Sequence, residues 1–138
     1  MTTKTLKRNI FQRMFGIPAT KPPADPGCWT FGDGTLKIDL RKAPELSQPF
    51  GAVHLESEAM PTRVMVMQDG SEGYRAFENK CAHAGRKLDP VPGTETIQCC
   101  SMGHLTYDYQ GNVLTGEDDK RVRPLNVHTE NGILVIEL

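Results

Sequence analysis

The sequence predicts an all-β domain, an antiparallel sandwich or small barrel, over residues 34–138. Three observations carry that expectation. Short runs of four to seven residues alternate apolar and polar side chains, the period of a strand with one buried face. Gly, Asn and Asp punctuate the runs where tight turns need them. No run of helical periodicity separates one strand from the next, so antiparallel pairing is favoured over crossover units.

The runs follow in order. Gly34–Leu40 alternates, as does Gly51–Glu56. Thr62–Met67 comes next, and Asp69-Gly70 supplies a turn before Tyr74–Phe77. Thr96–Cys100 and Leu105–Tyr109 are the following pair, the second closed by Gln110-Gly111-Asn112. Val122–His128 leads to an Asn131-Gly132 turn, and Ile133–Leu138 returns.

Residues 1–33 differ and are expected to form an N-terminal extension. Leu6, Ile10, Met14 and Ile17 fall at helical spacing, flanked by Phe11, Phe15 and the basic Lys4, Lys7, Arg8 and Arg13. A short amphipathic helix follows from that pattern. It is expected to dock on its own domain or on a second copy of the chain, with a membrane surface or another partner as the alternative. Pro18, Pro22, Pro23 and Pro26 then make an extended linker.

With 138 residues, the chain is the size of one ordinary domain. Its formal net charge of −1 provides no long-range attraction to nucleic acid or to anionic lipid. No apolar run approaches the roughly 20 residues of a membrane span. The basic N-terminus lacks the continuous apolar segment of a signal peptide, so a cytoplasmic location is expected.

Four cysteines, at 28, 81, 99 and 100, are too few and too clustered for a disulfide framework. Two short segments stand out instead. Cys81-Ala82-His83 and Cys99-Cys100-Ser101-Met102-Gly103-His104 each join thiolate to imidazole at a strand end. Thiolates bind iron in clusters, and neutral imidazole is also a good iron ligand. Two irons bridged by two sulfides need four protein ligands, and the two segments supply them. A tetrahedral zinc site of two Cys and two His is the rival, although Cys-x-His spacing fits it poorly.

The combination of Cys81-x-His83, sixteen intervening residues, Cys100 and a nearby histidine resembles the Rieske [2Fe-2S] family. The resemblance extends from the strand before Asn79-Lys80-Cys81 to Arg86 and Leu88, Tyr107-Asp108, Gly116, Pro124-Leu125 and Asn131–Val135. It implies a Rieske-like antiparallel fold over 34–138 with a small cluster-binding subdomain made of two β-hairpin loops. It implies a [2Fe-2S] cluster held by Cys81, His83, Cys100 and His104. One departure concerns the second motif, Cys-Pro-x-His-Gly in the family. Here histidine and glycine are exchanged, and Ser101 replaces the proline. Gly103 supplies backbone freedom for His104 to reach the iron from one position later.

Histidine in place of two thiolates removes negative charge, raising the potential from about −400 mV toward about −150 to +300 mV. The resemblance implies a single-electron carrier, a ferredoxin-like component of an oxygenase or reductase system that is not catalytic alone. Its partner would be a reductase or oxygenase protein. A cluster-free interaction module is the alternative. The first loop lacks the extra cysteine of the respiratory Rieske disulfide, which favours the soluble ferredoxin type.

Cys99 is expected to be a buried apolar cysteine, and Cys28 a plain packed thiol. Tyr107 is either a core aromatic or a hydrogen-bond donor to a cluster thiolate. His54 is expected to be a surface or half-buried strand residue, and His128 exposed in a hairpin. Glu117–Arg121 reads as a solvated loop, or as part of a docking surface.

Overall fold

Val64, Met65, Val66 and Met67 are all fully buried, although a strand alternates its side chains between two faces. In the computed structural model, which describes residues 20–71, 73–80, 87–91, 94–99, 106–112, 114 and 121–138, the reason is two cores. Val64 and Val66 face the first, and Met65 and Met67 face the second.

Ten strands are found among the described residues: β1 (Trp29–Gly32), β2 (Thr35–Asp39), β3 (Ala52–Leu55), β4 (Val64–Gln68), β5 (Tyr74–Glu78), β6 (Leu88–Val91), β7 (Thr96–Cys99), β8 (Thr106–Asp108), β9 (Pro124–Glu130) and β10 (Ile133–Glu137). They form a seven-stranded sheet in the order β1-β2-β10-β9-β5-β4-β3 and a three-stranded sheet in the order β6-β7-β8. Every pairing is antiparallel. The all-β antiparallel expectation holds, with a curled large sheet and a separate small one.

The large sheet encloses the first core, which includes Leu36, Ile38, Val53, Leu55, Leu134 and Ile136. The small sheet covers the outer face of β4 and β5. Its Leu88, Ile97, Cys99 and Tyr107 meet Met65, Met67 and Phe77 in the second core. Thus β4 and β5 are the wall shared by the two sheets.

Asn131 and Gly132, at φ 50° and 78°, make the tight hairpin turn between β9 and β10. Two strands escape the sequence pattern. Trp29–Gly32 lies in the segment expected to be linker, yet it pairs residue for residue with β2 through the turn at Asp33-Gly34. The expected boundary at residue 34 therefore falls inside a β-hairpin. Cys28, just before it, is packed in the first core as expected. Burial, with Asp25 and Glu45 nearby, pushes its thiol up from the ordinary range. The second missed strand, β6, contains Asp89 and Pro90, residue types depleted in strands. It is an edge strand of its sheet, the place where a proline without an N–H can sit. The expected N-terminal helix falls on residues outside the described part. No helix among the described residues is long and apolar enough to cross a membrane.

After β8 the chain turns sharply. The Asp108 carboxylate accepts from the backbone N–H groups of Gln110 and Asn112, both at 2.9 Å. Gly111 sits at φ 86°, and its carbonyl accepts from Val122 N–H at 2.9 Å. A Cβ there would lie 1.8 Å from the Val122 carbonyl oxygen. Gly111→Val is therefore expected to cost about 3 kcal/mol or more, combining a left-handed backbone with a clash against main chain. Urea unfolding of the two proteins measures it, and a loss below about 1 kcal/mol would contradict the close approach.

Candidate metal centre

The four ligands expected from sequence, Cys81, His83, Cys100 and His104, lie outside the described residues, as do Arg86 and Glu117–Lys120. What the structure places is the framework from which both segments depart. The first leaves β5 through Asn79 and Lys80 and re-enters at Leu88, the first residue of β6. The second leaves β7 after Cys99 and re-enters β8 at Thr106. Leu88 is the register partner of Cys99, and Gln98 that of Thr106. The return of the first segment and both ends of the second are thus brought to one end of the three-stranded sheet. Two stretches separated in sequence share a base.

That base is well packed. Leu88, Ile97, Cys99 and Tyr107 are all fully buried. Cys99 is the buried core cysteine its strand position suggested. Tyr107 is likewise a core aromatic, opposite Ile97 in register. Its other expected role involves thiolates outside the described part.

Leu88 is held in an unusual way. Its N–H donates to Asn79 Oδ1 at 2.7 Å. Its carbonyl accepts from His54 Nε2 at 2.6 Å, which places the imidazole proton on that nitrogen. Asn79 is 1% exposed and His54 4% exposed. Next along β6, Asp89 accepts from Thr20 N–H at 2.8 Å, and its carboxylate lies 3.8 Å from His54 Nε2. The backbone N–H of His54 donates to the Lys21 carbonyl at 3.0 Å, so the segment at 20–21 joins the same node.

The position of His54 corrects the sequence expectation. Val53 and Leu55 fill the first core, so alternation alone sends His54 to the outside of the large sheet. The small sheet covers that outside. Burial holds its pKa below the ordinary imidazole value, opposed by the Leu88 carbonyl and by Asp89 and Glu56, and reinforced by Lys87. The unfolded chain therefore takes up a proton near pH 6.5 that the folded one resists. Stability should be complete above that pH and fall as acid is added, by at most about 1.4 kcal/mol per pH unit. Urea unfolding at pH 7.5 and 5.5 tests this. His54→Gln should show the smaller acid loss, and equal losses would refute a buried neutral imidazole. His128, by contrast, is exposed on β9 as expected, 3.4 Å from Glu130.

Sequence reasoning missed the parts played by Asn79 and His54. Asn79 stands between charged neighbours, Glu78 and Lys80, with nothing to mark it as buried. Its only sequence signal is its place two residues before Cys81. Among the described residues, no group of three or more His, Cys, Asp or Glu side chains could hold a metal ion.

The sequence model of the Rieske [2Fe-2S] domain matches residues 40–126, more than half of the chain. The chain belongs to the Rieske [2Fe-2S] domain family. That membership implies a [2Fe-2S] cluster. No curated protein sequence matches the chain. Solved Rieske structures share its fold. The ferredoxin of carbazole 1,9a-dioxygenase from Nocardioides aromaticivorans aligns with a TM-score of 0.56 at 18% identity, over 67% of this chain and 91% of that one. A chain in the complex of reduced oxygenase and oxidized ferredoxin of carbazole 1,9a-dioxygenase aligns at 0.60 and 13% identity, over 77% and 94%. The quaternary ammonium Rieske monooxygenase CntA aligns at 0.53 and 21% identity, over 68% of this chain but only 29% of that one.

The residues of this Rieske domain fit the cluster on two counts. The candidate segments carry two thiols and two imidazoles, the donor set that distinguishes Rieske centres from all-cysteine ferredoxins. Beside the first segment, Asn79 Nδ2 is buried with no hydrogen-bond partner among the described residues. Buried donors seldom stay unsatisfied, and an N–H close to cluster sulfur is one of the levers that tunes such centres.

Proposed function

We propose that this chain is a ferredoxin-like single-electron carrier whose cluster is held by Cys81, His83, Cys100 and His104. The observation that carries the reading is the shared base of the two ligand-bearing segments. The Leu88–Cys99 and Gln98–Thr106 register pairs tie the return of the first segment and both ends of the second to one end of the small sheet. A pair of soft donors and a pair of imidazoles can then serve one diiron core. When bound, that core accepts and returns one electron.

The work left to the protein is to position the cluster and shield its inner side. Leu88, Ile97, Cys99 and Tyr107 provide a dry, closely packed floor. Burial of this kind is a recognised control on reduction potential. The ferredoxin of carbazole 1,9a-dioxygenase, similar over most of its length, supports an oxygenase or its reductase as the redox partner. We place that exchange in the cytoplasm.

Electron paramagnetic resonance of the reduced protein, with iron and acid-labile sulfide assays, tests the proposal. Two irons and two sulfides per chain are expected, with coupling to two nitrogen nuclei. One coupled nitrogen would remove His104 from the ligand set. A colourless protein, whether it holds zinc or no metal, would overturn the carrier.

A further inference from the structure

We propose that Asn79 and His54 are positioning residues, a two-point clamp that fixes the exit of the first cluster loop to the large sheet. The inference rests on the proposed cluster-bearing role of that loop. Leu88, five positions after His83, is the first residue of β6, so its placement limits where the loop can hold its ligands.

An edge strand leaves alternate backbone groups without a neighbouring strand, and buried groups of this kind need partners. Leu88 is fully buried on the edge strand β6. Both of its backbone groups are satisfied by side chains from the large sheet. Asn79, just past β5, accepts from the N–H at 2.7 Å, and His54 on β3 donates to the carbonyl at 2.6 Å.

The two arms are themselves held. Asn79 N–H donates to the Arg63 carbonyl at 2.8 Å, and Arg63 Nε returns a bond to the Asn79 carbonyl at 3.1 Å. His54 belongs to the register of β3 with β4, opposite Met65. The bond from Asn79 to Leu88 spans the neck of the loop, with residues 80–87 between its ends. Closing that neck removes freedom that the ligands would otherwise lose on binding iron. The two sheets also meet through apolar packing, which fixes distance but not direction, through Asp89 at 3.8 Å from His54 Nε2, and through the solvent-facing Lys87–Glu56 pair at 3.2 Å. The clamp supplies the direction.

The test uses the full chain with cluster bound, in His54→Leu, His54→Gln and Asn79→Ala forms. Glutamine keeps an N–H donor for the Leu88 carbonyl. His54→Leu and Asn79→Ala should release iron to a chelator roughly tenfold faster than wild type, as loss of outer-shell support commonly does. Both should alter the nitrogen couplings of the reduced cluster, and His54→Gln should restore them. Asn79→Ala carries the test if His54→Leu does not fold.

Wild-type release rates and spectra in these variants, even with lowered melting temperatures, would overturn the clamp and leave only a packing role. If wild-type protein holds no cluster, the proposed function fails instead. Amide exchange then decides the clamp. Faster exchange at Leu88 in Asn79→Ala, with β10 amides unchanged, supports it, and unchanged exchange at Leu88 refutes it.

Discussion

Replacing Phe77 by alanine is expected to remove about 3–5 kcal/mol of stability, the usual cost of emptying a buried aromatic site. Phe77 is fully buried on β5, in the wall between the two sheets. Its ring faces the second core, 6.2 Å from the Tyr109 ring at a tilted angle, among Met65, Met67, Leu88 and Tyr107. The cavity would open beneath the floor of the proposed cluster site. Neighbouring rings and β-sheet backbone leave little room for collapse, so the loss belongs at the upper part of the range. A domain of ordinary stability, about 5–15 kcal/mol, would be left marginal. Urea unfolding followed by tyrosine fluorescence and by far-ultraviolet circular dichroism measures the change. A loss near 1 kcal/mol would mean that the second core is loosely packed and that the floor is not rigid.

The contrast between adjacent cysteines gives the other large effect. Cys100→Ser should abolish the visible absorption of the cluster, because a serine hydroxyl is a hard, weakly acidic donor in place of a soft thiolate. Cys99→Ser should keep the cluster and lose stability instead. Cys99 is fully buried in the second core, and its replacement places a hydroxyl in apolar surroundings, at about 1–3 kcal/mol if the hydroxyl is left unpaired. Absorption spectra and iron content of the two purified proteins, together with their melting temperatures, decide the matter. Bleaching in Cys99→Ser with retention in Cys100→Ser would reverse the ligand assignment.

Much of the domain is legible in order along the chain. The Asn131-Gly132 turn and its flanking strands follow from local chemistry, since positive φ at both positions favours those residues. The same holds for β2, β3, β5, β7 and β8, whose alternation is local. Strand β6 was hidden because Asp89 and Pro90 are turn formers in isolation. Only at the edge of the small sheet does a proline cost no ladder bond, while Asp89 receives the N–H of Thr20 from a distant segment. Strand β1 was hidden because the prolines before it suggested a linker, and its partner β2 supplies the order that its own residues do not.

The all-β class, the two Cys/His segments and the cofactor chemistry that their donor atoms prefer follow from residue identities, because backbone propensity and ligand softness are properties of the residues. Packing between the two sheets is what buries β4 on both faces, makes His54 an interior donor and lets Asn79 tie the first loop to its return strand. Those outcomes depend on a second sheet covering the outer face of the first. Periodicity reports which face a residue takes, and only packing determines what lies against that face.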